Sequence, residues 1–205
     1  MTKSCVSAYG GQTLESDPFY RTAKETGCWP RGGMAASGMV KKRRVFEQGH
    51  RRKYLVVVDD VPEVEAALFF AASRIGHTGG QIALLYVIEP QGFHQWMGVR
   101  QAQVDEETNK AKALFRLHRR KLINGGFDTI QVDEIIRQGK KGEQIVRLIE
   151  EDEDIAIMVL GASADAKGPG PLVSSLAAGK LAGSFPIPIV IVPGTLSVED
   201  LKAMA

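Results

Sequence analysis

A glycine-rich segment between a predicted strand and a predicted helix has the residue types of a phosphate-binding loop. Residues 161–175 read GASADAKGPGPLVSS and end in two adjacent serines, Ser174 and Ser175. In such a loop the backbone N–H groups point inward and the helix dipole favours negative charge, while a serine hydroxyl adds a further hydrogen-bond donor. The segment therefore predicts binding of a phosphate-bearing ligand.

Alternating strands and helices must position this loop. From residue 53 onward, continuous β-branched runs alternate with apolar residues at helical spacing. The predicted strands are 54–58, 82–88, 129–137, 155–160 and 187–192, and the predicted helices are 62–75, 104–123, 143–151, 172–181 and 198–201. This order predicts an α/β fold with a single five-stranded parallel sheet and helices on both faces, in a Rossmann-like arrangement. Ligands of such sheets bind beyond the carboxyl ends of the strands.

The pattern divides the chain into three parts. Residues 1–50 show no sustained period and include the basic run 41–44, so we expect a poorly ordered N-terminal extension. Residues 51–194 form the predicted domain, and 195–205 a C-terminal tail with a short helix. Met34 and Met39 are alternative translation starts, which is one hypothesis for the patternless residues 1–38. The basic run suits either phosphate contact or a solvated leader, and its lack of amphipathic spacing favours the leader.

The loop and its neighbours resemble the universal stress protein family. The signature of that family is Gly, two residues, Gly, nine residues, then Gly-Ser or Gly-Thr, and its four positions fall on Gly161, Ala164, Ser174 and Ser175. The resemblance extends over residues 52–194 and includes the strand ends at Asp59 and at Val87–Pro90, the pair Gln138-Gly139 and the last strand.

The resemblance implies an adenine-nucleotide site, with ATP or AMP as the ligand and Mg²⁺ entering only with the nucleotide. It implies that Asp59 lies near the adenine and ribose, with Asp60 beside it, and that Val87 contacts the adenine. The implied phosphate-binding residues are Gly161, Ala164, Ser174 and Ser175. From the residues alone, the two aspartates also suit a polar strand end, and Val87 also suits a plain core position.

Two of the three signature glycines are replaced in this chain, by Ala164 and Ser174. Members of the family that bind ATP and members that do not differ in this motif. A positive φ at position 164 would cost alanine about 1 kcal/mol. Two hypotheses therefore stay open. The protein is a nucleotide-binding regulator, or it is a nucleotide-free member of the family that acts through protein–protein contacts. A third is an enzyme on the same scaffold.

Charge, hydrophobicity and the counts of cysteine and histidine argue against several classes of protein. The chain has 205 residues and a formal net charge of +2, too small to predict nucleic acid binding. No apolar run approaches the ~20 residues of a membrane span, and the first thirty residues lack a secretory pattern, so we expect a cytoplasmic protein. The two cysteines and four histidines show no metal-ligand spacing, and no nucleophile–base pair is evident. These features predict a non-catalytic binding or signalling protein.

The sequence of the last predicted strand indicates how the chain could pair with a second copy. Ile187 to Val192 alternates with proline and would lie at a sheet edge, where pairing satisfies exposed backbone groups. Proteins that resemble this family commonly pair, so we expect a homodimer through this strand. Other protein partners are not identified by the sequence.

Overall fold

The β-branched runs form five strands in a computed structural model, which describes residues 42–89, 97–165, 168–177 and 185–204. Residues 1–41, most of the predicted extension, and the predicted helix end at 178–181 lie outside these ranges. In chain order the elements are β1 (Lys53–Val57), α1 (Val64–Thr78), β2 (Gln81–Ile88), α2 (Met97–Asn124), β3 (Val132–Gln138), α3 (Lys141–Glu151), β4 (Ile155–Ala162), α4 (Pro171–Ala177), β5 (Ile189–Pro193) and α5 (Val198–Met204).

The strands form one parallel sheet in the order β3-β2-β1-β4-β5. The chain moves outward from β1 to β3 and then returns to β4 on the other side of β1. The strand order therefore reverses between β1 and β4, and the crevice at their carboxyl ends is the place where open α/β sheets bind ligands. The predicted fold class is confirmed.

Helices cover both faces of the sheet because successive β1 side chains point to opposite sides. Tyr54 and Val56 belong to one buried cluster, which also contains residues of α1, α2 and α5. Leu55 and Val57 belong to the other, with residues of α3 and α4. A strand buried on both faces reads as a continuous apolar run, which is why β1 was predictable from its sequence.

Strand β4 is longer than predicted. The sequence places its end at Leu160 and a loop at Gly161, but Gly161 pairs with Val192 of β5, and Ala162 pairs with Pro193. The Gly194 N–H also donates to the Ala162 carbonyl at 2.8 Å. A glycine followed by small residues suggests a strand end, but pairing with β5 keeps the backbone extended here. Strand β5 starts at Ile189, two residues after the predicted Ile187.

Helix α2 begins at Met97, before the predicted start near residue 104. Residues 101–106 are mostly exposed, so this first part of the helix has no apolar stripe from which it could be predicted. A pair four residues apart stabilises it, since Gln101 Nε2 donates to Asp105 Oδ1 at 2.9 Å. No helix within the described residues is long and apolar enough to cross a membrane.

Residues 42–50, assigned from the sequence to the extension, contact the turn between α3 and β4. Arg43 Nη1 donates to the carbonyls of Ile149 at 2.6 Å and Asp152 at 3.0 Å. His50 Nδ1 lies 2.5 Å from Asp154 Oδ1. Part of the basic segment therefore caps the C-terminal end of α3 and lies against the acidic residues 150–154.

Candidate functional site

A cleft of 530 Å³ opens at the carboxyl ends of β1 and β4, where the strand order reverses. Its walls are the β1–α1 connection and the segment that joins β4 to α4. Three of the residues predicted for the site line it, namely Asp59, Gly161 and Ser174. The other four, Asp60, Val87, Ala164 and Ser175, are not among its described lining residues.

Asp59 forms an ion pair across the sheet. Its two carboxylate oxygens accept hydrogen bonds from Lys141 Nζ at 2.8 and 3.0 Å. Lys141 is the first residue of α3, and its backbone N–H donates to Glu89 Oε1 at 2.8 Å. The ends of β1, β2 and β3 are thereby joined, and the charge of Asp59 is neutralised within the protein.

Asp60 and Val87 do not line the cleft. The Asp60 side chain is 68% exposed and pairs with Lys110 at 3.1 Å. This hydrogen bond and the negative charge of Asp60 raise the pKa of Lys110. The Val87 side chain is buried in the sheet face covered by α3 and α4, as the plain core interpretation predicts.

The retained signature glycine is required by packing. A Cβ on Gly161 would collide with the backbone carbonyl of Glu63, just before α1. At position 164 the question of strain does not arise, because no described residue other than glycine has a positive φ. The left-handed positions of the segment are instead Gly168, with φ 106°, and Gly170, with φ 98°. Alanine at 164 therefore carries no cost from a positive φ.

Both signature serines use their hydroxyls within α4. Ser174 Oγ donates to the Gly170 carbonyl at 2.9 Å, and Ser175 Oγ donates to the Leu172 carbonyl at 3.0 Å. Ser174 faces the cleft and Ser175 does not line it. A ligand phosphate would gain a donor from Ser174 only by rotation of its hydroxyl.

Sequence reasoning missed Lys141 and Glu63. Lys141 lies in a stretch that follows β3, but nothing in the sequence shows that its side chain reaches β1. Glu63 lines the cleft, yet an acidic residue at the start of a helix is common for reasons of the helix dipole alone. The described lining contains the hydroxyls of Ser163 and Ser174 but no histidine or lysine that would activate them.

Comparison with known proteins identifies the family and the fold of this chain. The model of the universal stress protein family matches residues 50–193. The universal stress protein UspA from Lactobacillus plantarum is 19% identical, with a TM-score of 0.58 over 69% of this chain and 97% of that chain. A universal stress protein family member from Burkholderia pseudomallei is 15% identical, with a TM-score of 0.52 over 69% of this chain and 95% of that chain. These two structures share the fold. No curated protein is significantly similar.

Proposed function

The chain belongs to the universal stress protein family, and we propose that it is a stress-response binding or signalling protein whose cleft binds an adenine nucleotide, AMP or ATP. The observation that carries this proposal is the position of the cleft. It lies where the strand order reverses, and it brings Asp59, Gly161 and Ser174 together from three separate parts of the chain.

The surroundings of these residues support the roles that we propose for them. Asp59 lies beside the end of β1, where the adenine and ribose are expected, and Lys141 holds its carboxylate in place. Gly161 lets the β4 backbone approach α1. We propose that Ser174, which lines the cleft, lies near the phosphates. Roles for Asp60, Val87, Ala164 and Ser175 stay predictions. We propose that Mg²⁺ enters only with the nucleotide.

A matched pair of tryptophan variants tests the site. Ser174 and Ser175 are both exposed residues of α4, but only Ser174 lines the cleft. Because a tryptophan at 174 would fill the cleft without entering the core, Ser174→Trp is expected to weaken AMP binding at least ~10-fold, or about 1.4 kcal/mol. Ser175→Trp is expected to leave the Kd within about threefold of the wild-type value. Isothermal titration with AMP measures both.

The outcomes separate the open interpretations. Equal losses in the two variants would contradict the assignment of the ligand to the cleft side of α4. A flat titration of folded wild-type protein, free of co-purified nucleotide, would favour the nucleotide-free alternative, in which the chain acts through protein contacts alone. The engagement of both serine hydroxyls within α4 is the observation that favours this alternative. Release of product from AMP or ATP during the titration would instead indicate an enzyme.

We also propose a homodimer through β5. This strand pairs with β4 on one side only, so it is an edge of the sheet. Ile191 is 43% exposed, and an apolar groove beside it is lined by Phe185, Ile187 and Ile189. Pairing with β5 of a second copy would satisfy the unpaired backbone groups and cover this groove.

Sedimentation analysis tests the dimer. Ile191→Lys places a charge at the centre of the proposed contact, and the dissociation constant of the dimer is expected to rise about 100-fold. Leu117→Lys on α2 is the control, because Leu117 is similarly exposed, at 47%, and lies away from β5. A wild-type monomer at micromolar concentration, or equal effects of the two variants, would contradict the proposal. The cytoplasmic location stays a prediction.

A further inference from the structure

The Glu63 carboxylate stands in the cleft with an oxygen that has no partner. Glu63 Oε2 is excluded from solvent and accepts no hydrogen bond from any described residue. Its stem runs between two glycines, since a Cβ on Gly161 would lie 2.9 Å from Glu63 Cβ, and a Cβ on Gly194 would lie 2.9 Å from Glu63 Cγ. The stem of Glu63 is therefore closely packed against β4 and the residue that follows β5.

The cleft around Glu63 is negatively charged. Three acidic residues line it, Asp59, Glu63 and Asp165, while none of the lining residues that the structure describes is lysine or arginine. Lys141 neutralises Asp59 through both of its carboxylate oxygens. Glu63 and Asp165 have no ion-pair partner among the described side chains. A phosphate chain would therefore meet two negative charges here.

The neutral serine hydroxyls of the cleft do not cancel this charge, although Ser163 keeps a proton to donate because its Oγ is engaged as an acceptor. Ser174 donates its hydroxyl to the Gly170 carbonyl at 2.9 Å. Ser163 Oγ accepts a hydrogen bond from the Asp165 N–H at 3.3 Å. A carboxylate accepts hydrogen bonds from hydroxyl groups and repels phosphate oxygens, and its repulsion acts without direct contact.

Resting on the proposed function, we infer that the cleft selects adenine ligands of low negative charge, adenosine or AMP over ATP, and that Glu63 sets this selectivity. Charge repulsion near a partly buried carboxylate exceeds that in bulk water, and it grows with each phosphate on the ligand. The preference therefore comes from exclusion of the polyphosphate rather than from an added contact with AMP.

Titrations without Mg²⁺ test the inference. Wild-type protein is titrated with adenosine, AMP and ATP, and ATP is expected to bind at least ~10-fold more weakly than AMP. Glu63→Gln removes the charge with little change in shape. It is expected to tighten ATP binding about 10-fold and to change adenosine binding less than about threefold. Glu150→Gln, which removes an exposed charge on the far end of α3, is the control and is expected to leave all three affinities unchanged.

A salt series on wild-type protein gives a second measurement that needs no variant. Because salt screens repulsion, ATP binding is expected to strengthen as ionic strength rises, whereas adenosine binding stays constant. ATP that binds as tightly as AMP, or that weakens with salt, would overturn the inference. So would a Glu63→Gln variant that shifts all three ligands equally. In these cases nucleotide still binds, and the proposed function stands. Failure of all three ligands to bind folded protein overturns both.

Discussion

Gly161→Ala is expected to lower the free energy of unfolding by about 3 kcal/mol, as overpacking against a rigid neighbour does. The added Cβ would collide with the Glu63 carbonyl, which is backbone and is fixed by the start of α1. The Ala67 N–H donates to that same carbonyl, so moving it would disturb the first turn of the helix. Strand β4 and helix α1 would have to separate at the floor of the cleft.

Gly76→Ala is the matched control. Gly76 lies in α1, is exposed, and has nothing within 4 Å of an added Cβ. Alanine is the better helix former, so this variant is expected to be more stable than wild type by up to about 1 kcal/mol. Urea unfolding of both variants, with equal m-values, gives the comparison. A Gly161→Ala variant within about 0.5 kcal/mol of wild type would contradict the packing argument.

The same contact explains which signature positions can vary. The backbone carbonyl of Glu63 occupies the space that a Cβ at position 161 would need, so only glycine fits there. Ala164 has no positive φ and needs no glycine. Ser174 lies on the exposed side of α4, where a small side chain meets no obstacle. In this chain, the first glycine is retained because a side chain at 161 would push β4 and α1 apart. The positive φ values of the segment are at Gly168 and Gly170.

The framework of the fold could be predicted because it depends on local pattern. The apolar run of β1 and the apolar stripe of α1 can each be recognised within a short stretch of sequence. The alternation of strands and helices then limits the possible topologies. A helix-capping serine, Ser197, also predicts the start of the final helix α5. Ser197 caps α5 through the Asp200 N–H at 3.1 Å, and Asp200 Oδ2 accepts a hydrogen bond from the Ser197 hydroxyl at 2.7 Å.

The interior of the site depends on contacts between distant residues, which no local pattern specifies. Lys141 reaches Asp59 across 82 positions, and Arg43 reaches Ile149 across 106. From the sequence, the basic run 41–44 and the acidic run 150–154 are two separate charged segments. Their opposite charges are compatible with contact, but only the fold places residues 43–50 beside the α3–β4 turn.

Acidification is expected to destabilise the protein through His118, a residue of α2 that is 4% exposed. Neither ring nitrogen has a hydrogen-bond partner among the described residues. Burial lowers the pKa of His118, and the charge of Lys121 on the same helix lowers it further, while Glu65 of α1 acts in the opposite direction. Lys121 and Glu65 are themselves paired at 2.5 Å. The folded protein therefore favours the neutral ring.

The sign of the pH effect follows from this direction. Above the unfolded-state pKa of about 6.5, histidine is neutral in both states and no penalty exists. Below it the unfolded chain binds a proton more readily than the folded chain, so stability falls as the pH decreases toward the lower folded-state pKa. Between pH 7.5 and pH 5.5 the loss is at most about 1.4 kcal/mol, the value for a ring that stays neutral in the fold.

His118→Leu separates this contribution from the rest of the titration. Leucine fills a similar space without an unpaired polar group, so the variant is expected to be at least as stable as wild type at pH 7.5. It should also lose less stability between pH 7.5 and pH 5.5. The control is His77→Gln, because His77 is exposed in the last turn of α1 and its removal should leave the wild-type pH dependence intact.

Above pH 5 the lowered carboxyl pKa values of Glu47 and Glu151 add little to the pH dependence, since these groups stay ionised in both states. Urea unfolding at the two pH values decides the matter: equal losses in wild type and His118→Leu would show that another group carries the acid sensitivity.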